Sequence, residues 1–194
     1  MATKMEGPLN GIRVLDLSRI LAGPFCTMNL GDMGAEIIKI EQPGKGDDTR
    51  SWGPPFAGSE AAYFLGINRN KKSVTLDLKS DQGIEILKKL LKESDVLIEN
   101  FKFGTLDKFG ITDDWRKKEA PQLIHCQITG YGGRGPRGRV RRRMLARLRG
   151  GAMPRGVYVR AVFADVCALL FAMCEARAEV RTFAGTGSIG EQST

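Results

Sequence analysis

Apolar and polar positions fall into short, alternating blocks along the first two thirds of the chain. The run IRVLDLS (Ile12–Ser18) is apolar and ends in polar residues, as a buried parallel strand does. AGPFCTMNLGDMGA follows as a helix, with Pro24 suited to its first turn and Phe25, Met28 and Leu30 on its apolar face. EIIKIEQPG (Glu36–Gly44) is a second strand, closed by Pro43-Gly44. Together they form a β-α-β unit, the seed of a doubly wound sheet.

The alternation continues past a long polar loop, KGDDTRSWGPPFAGSE. SVTLDLK (Ser73–Lys79) predicts a strand. DQGIEILKKLLKES predicts a helix capped by Asp81, with an apolar stripe of Ile84, Ile86, Leu87, Leu90 and Leu91. DVLIEN (Asp95–Asn100) is another buried strand. GTLDKFG is a short helix ended by Gly110, ITDDWRKKEAPQ a further helical piece starting near Asp113 or Asp114, and LIHCQITGYG (Leu123–Gly132) a last strand. The expected fold class is α/β: a Rossmann-like parallel sheet with helices on both faces. Ligands bind such sheets at the C-terminal ends of the strands. Those ends carry Asp16-Leu17-Ser18, Glu41-Gln42, Asp77-Leu78-Lys79, Asn100-Phe101 and Thr129-Gly130-Tyr131.

The pattern breaks at about Arg134, which divides the chain into residues 1–133 and a basic tail, 134–194. RGRVRRRMLARLR reads as a basic helix with Val140, Met144, Leu145 and Leu148 on one side. Tyr158–Val180 reads as an apolar helix, and the last twelve residues as a loose tail. Charge changes the picture here. Residues 1–133 are neutral, whereas 134–194 hold twelve arginines, no lysine and four acids, and so carry the whole net charge of +8. Such asymmetry fits a nucleic-acid or membrane contact. It also fits a segment of different origin, because arginine, glycine and alanine all have GC-rich codons.

Other chemistry is sparse. Cys26, Cys126, Cys167 and Cys174 form no CxxC pair, and the lone His125 sits in an apolar run, so no metal site is expected. The cysteines read as reduced, structural thiols. No apolar run reaches the ~18 residues of a membrane span. The N-terminal residues lack an Arg-rich transit segment, which makes the cytosol the expected location and the mitochondrion the alternative. There is no P-loop lysine motif and no G-x-S-x-G elbow, and Gly44-x-Gly46 lacks a dinucleotide-binding context. INRNKKS (Ile67–Ser73) groups Arg69, Lys71 and Lys72, either as a phosphate-holding loop or as a solvated turn.

Four segments in order resemble the N-terminal part of the class III (formyl-CoA transferase-like) CoA-transferases. They are GIRVLDLSRILAGPFCTMNLGDMGAEIIKIEQPGKGDDTR, YFLGINRNKKSVTLDLK, VLIENFKFGTLDKFG and LIHCQITGYG. Within that family the text is most similar to the succinate–hydroxymethylglutarate branch. The resemblance covers about Gly7 to Gly132. It implies transfer of CoA from an acyl-CoA, such as succinyl-CoA, to a carboxylic acid such as a dicarboxylate. An aspartate forms first a mixed anhydride and then an aspartyl-CoA thioester. It also implies CoA or acyl-CoA as substrate, no permanently bound cofactor, and a homodimer of chains about twice this length.

Carried over by position, the CoA contacts fall on Leu21, Ala22, Gln42, Leu76, Asp77, Lys79, Asn100, Phe101 and Lys108. Lys79 and Lys108 would neutralise phosphates, and Asn100 would read adenine or pantetheine. Gln42 stands where relatives often carry Arg, and Phe103 replaces a common Pro. After GYGGRGP (Gly130–Pro136) the family's GYD helix does not follow; the arginine run does. FADVCALLFA (Phe163–Ala172) echoes the family's segment around the nucleophile and would place that role on Asp165, though early in the chain and without the Thr-Gly pair. The expectation is a truncated subunit whose CoA-binding half is intact. The competing readings are a basic-tailed protein for nucleic acid or acidic surfaces, and a non-functional fragment. The arginine run lacks the interleaved aromatics of an RNA-binding arm, so nucleic acid is not the expected partner.

Overall fold

The computed structural model describes residues 7–129 and two further strands, 144–149 and 158–161. In chain order the elements are β1 (Arg13–Asp16), α1 (Ala22–Asp32), β2 (Glu36–Glu41), a 3-10 turn (Asp48–Ser51), β3 (Phe56–Ala57), β4 (Glu60–Ala61) and α2 (Ala62–Asn68). They continue with β5 (Lys71–Thr75), α3 (Asp81–Lys92), β6 (Val96–Glu99), α4 (Thr105–Lys108), α5 (Asp113–Glu119), β7 (Ile124–Thr129), β8 (Met144–Arg149) and β9 (Tyr158–Ala161).

The main sheet has the order β5-β2-β1-β6-β7-β8-β9. Its first five strands are parallel, with Val14 facing Ile37 on one side and Val96 on the other. Strands run outward from β1 in both directions, so the topology reverses between β1 and β6, where such sheets open a crevice. Because side chains alternate across a strand, the buried strands feed two cores. Val14, Ile37, Val96, Ile98, Cys126 and Ile128 pack with Cys26 and Leu30 of α1 on one face. Leu15, Ile40 and Leu97 pack with Leu87 and Leu91 of α3 and Leu106 of α4 on the other. Helices therefore cover both faces, as expected.

Several elements differ from the sequence reading. The strand expected over 73–79 lies at Lys71–Thr75, and Leu76–Lys79 form the turn after it. Ser80 rather than Asp81 caps α3, its Oγ accepting from the Gly83 N–H at 3.0 Å. Ile86 is 46% exposed and drops out of the apolar stripe, in which Leu87 and Leu91 are buried and Leu90 packs beside them. The long polar loop contains a 3-10 turn and most of a short hairpin, and α2 starts just after it. The basic helix expected over the arginine run is contradicted at Met144–Arg149, which is a strand antiparallel to β7, with Leu148 opposite Cys126 and Ala146 opposite Ile128. Tyr158–Ala161, expected as helix, is a strand antiparallel to β8. The sheet is thus parallel in five strands and antiparallel in the last two. Residues 134–143 and the rest of the second expected helix lie outside the described residues.

Candidate functional site

The C-terminal ends of β1, β2, β5 and β6 frame a cleft of about 250 Å³. Its walls are apolar, from Leu17, Ile40, Leu76, Leu78, Phe101 and Phe109. Arg19, Glu41, Gln42, Asp77 and Lys79 bring polar groups to it. An apolar slot with a few polar groups is the form that small-ligand sites take. Phe101 and Phe109 meet edge to face, with ring centroids 6.3 Å apart, which stiffens the wall beneath. The Asp77 carboxylate accepts the Lys79 N–H at 2.9 Å and so sets the turn that presents Lys79.

Five of the sequence-derived contacts, Gln42, Leu76, Asp77, Lys79 and Phe101, meet in this cleft although three separate strands deliver them. The other four do not line it. Leu21 and Ala22 open α1. Lys108 closes α4, one residue before Phe109. Asn100 is turned to the backbone: its amide accepts the Arg19 N–H at 3.0 Å and donates to the Arg19 carbonyl at 2.7 Å. That pair ties β6 to the turn after β1. Asp165 lies outside the described residues.

Beside the cleft, on the α1 face, is a buried ionic group that the sequence reading missed. Asp16, Lys39 and Asp47 are each at most 2% exposed. Lys39 Nζ lies 2.9 Å from Asp47 Oδ2 and donates to the Ser18 carbonyl, also at 2.9 Å. Asp16 accepts from the Ser18 N–H, the Ser18 hydroxyl, the Thr27 hydroxyl and Lys71 Nζ. Lys71 Nζ also donates to the Pro24 carbonyl at 2.8 Å and to Asn68 Oδ1 at 2.9 Å. Glu41 pairs with Arg50 at 2.7 Å, and Arg50 lies 3.8 Å over the Phe64 ring. Burial alone would raise the Asp16 carboxyl, but Lys39 and Lys71 bring it below its ordinary value. Burial opposes ionisation of Glu41 too, and Arg50, Ser73 and the Asp47 N–H overcome it, down to about 2. Lys71 is lowered as well, to about 8, because burial outweighs the nearby Asp16; in a lysine that shift disfavours the charged form.

INRNKKS is largely exposed, as a solvated turn is, except that the Lys71 side chain is buried. Arg69 pairs with Asp32, Lys72 with Glu36, and Lys71 with Asp16. His125 is buried, with Nε2 3.2 Å from Glu99 Oε1, and burial holds its pKa below the usual imidazole range. The sequence did hold a signal for the ionic group. Asp16 and Lys39 interrupt the apolar runs VLDL and IIKIE at inward positions, where a charge survives only with partners.

The family model described as CoA-transferase family III matches residues 9–143. Succinyl-CoA:glutarate CoA-transferase of Mus musculus is 56% identical over 129 residues, which is 66% of this chain and 30% of that protein. Succinate--glutarate CoA-transferase of Agrobacterium fabrum is 47% identical over 135 residues, 66% of this chain and 34% of the relative. The crystal structure of a CAIB/BAIF family protein from Brucella suis superposes with a TM-score of 0.73 at 39% identity, over 94% of this chain and 51% of that one. The chain thus spans about a third of the length of these curated relatives.

Proposed function

Because this chain belongs to CoA-transferase family III, we propose that its cleft binds coenzyme A or an acyl-CoA. In this reading it supplies the CoA-holding part of an enzyme that moves CoA between carboxylic acids. The observation that carries it is the meeting of Gln42, Leu76, Asp77, Lys79 and Phe101 in one slot at the switch point of the sheet. An apolar slot suits the adenine and pantetheine, and an ammonium at its rim suits a phosphate. Succinyl-CoA as donor and a dicarboxylate such as glutarate as acceptor follow from the names of the relatives. Asp165 is proposed as nucleophile. Its carboxylate would attack the thioester carbonyl and expel CoA thiolate, and the thiolate would then displace the carboxylic acid to leave an aspartyl-CoA thioester. A homodimer is part of the same proposal.

The test is calorimetric titration of CoA into the full chain, wild type and Lys79→Ala. Saturable binding that weakens about tenfold in the variant is expected, the worth of one charge-assisted contact. A folded wild type that does not bind CoA would sink the reading. Intact-mass measurement after exposure to succinyl-CoA checks the covalent step, with a CoA adduct expected in wild type and absent in Asp165→Ala.

A further inference from the structure

The turn between β1 and α1 has an improbable backbone. Ile20 has φ of 74°, a left-handed conformation that a β-branched residue avoids. Its side chain is 37% exposed, so packing of that side chain does not explain the geometry. Backbone contacts do. The Lys39 ammonium holds the Ser18 carbonyl at 2.9 Å, and the Asp47 carboxylate accepts the Ile20 N–H at 3.3 Å. The two anchors are themselves an ion pair, 2.9 Å apart and with side chains at most 2% exposed. A buried pair of this kind costs desolvation and adds little net stability, so stability alone does not account for it. Strain that the surroundings over-determine is found at ligand sites.

The position of the turn gives the strain a purpose. Arg19, between the two anchored residues, lines the cleft, and Leu21 and Ala22 follow directly. Asp47 also fixes the segment after β2, accepting from Thr49 N at 3.0 Å and giving its own N–H to Glu41 at 2.8 Å. One ion pair thus ties together the turn after β1 and the segment after β2.

We propose that Lys39 and Asp47 are positioning residues for acyl-CoA. Their buried pair holds Ser18–Leu21 in the shape that the ligand meets, so that the turn need not be ordered on binding. The inference rests on the CoA reading of the cleft. Neither residue lines the cleft itself.

The experiment separates stability from binding. Lys39→Met leaves Asp47 charged and unpaired in the interior, and both melting temperature and CoA affinity are expected to fall. In Lys39→Met/Asp47→Asn no charge is left unpaired, and the introduced amide keeps an oxygen for Ile20 and Thr49. Melting should return towards wild type, while CoA affinity stays about tenfold weaker because the Ser18 carbonyl has lost its donor. A merely structural pair would recover both together. Ile20→Gly serves as a second variant whose folding is not at risk, since glycine adopts this φ freely. It should melt no lower than wild type and bind CoA several-fold more weakly, because the turn gains other conformations. Wild-type affinity in the double variant or in Ile20→Gly overturns the proposal and leaves the CoA reading standing. Absence of CoA binding in wild type overturns both.

Discussion

A methyl group on Gly83 would lie 1.9 Å from the Asp77 carbonyl oxygen, far inside contact distance. The first turn of α3 packs directly on the turn that presents Lys79, and only a residue without Cβ fits there. Gly83→Ala should therefore cost about 1–3 kcal/mol in urea unfolding despite the better helix propensity of alanine. CoA titration of the same variant should show weaker binding, since Asp77 and Lys79 move with the clash. Such demands on single residues were only partly legible in the sequence. Gln42, Leu76, Asp77, Lys79 and Phe101 of the cleft could be named from their text, whereas Arg19, Ile40 and Phe109 could not. The partners of Asp16, Lys39, Asp47 and Lys71 could not, because ion pairs such as Lys71 with Asp16 join residues far apart in the chain.

Elements were read best where the pattern was long. β1, α1, β2, α3, β6 and β7 all lie within or near the runs that announced them. The misses have local causes. β5 sits at the edge of the parallel strands and is mostly exposed, so its apolar alternation is weak and did not mark its start. The apolar spacing around the arginines allowed a helix, but MLARLR also alternates, and the free edge of β7 decided for a strand. The cap of α3 was expected one residue late, at Asp81 instead of Ser80, and the difference can be checked. Ser80→Ala should lower stability by about 1 kcal/mol, the usual worth of an N-cap, because the Gly83 N–H loses its acceptor. Asp81→Ala should cost less, since that residue contributes only a charge near the helix N-terminus. Thermal melts of the two variants side by side give the answer.

For the whole molecule, the buried carboxylates govern behaviour in acid. Glu41, Asp16 and Asp47 all titrate below their ordinary values in the folded chain, Glu41 at about 2 against 4.5. The unfolded chain therefore binds more protons in that range, and stability must fall with pH. The contribution of Glu41 is complete above about pH 4.5 and is lost progressively towards pH 2. Urea midpoints measured across this window should drop steeply, and Glu41→Gln should flatten the profile while lowering the plateau.

The order of the strands has a consequence in time. β1 is central, yet its neighbour β6 lies far along the chain, with Val14 in register with Val96. At a synthesis rate of about 5–20 residues per second, β1 waits roughly 4–16 s on the ribosome before that neighbour exists. Leu15 and Val14, fully buried in the finished sheet, are bare on that side throughout the wait. The nascent chain is thus most open to chaperones, and to wrong pairing, before its middle has been made.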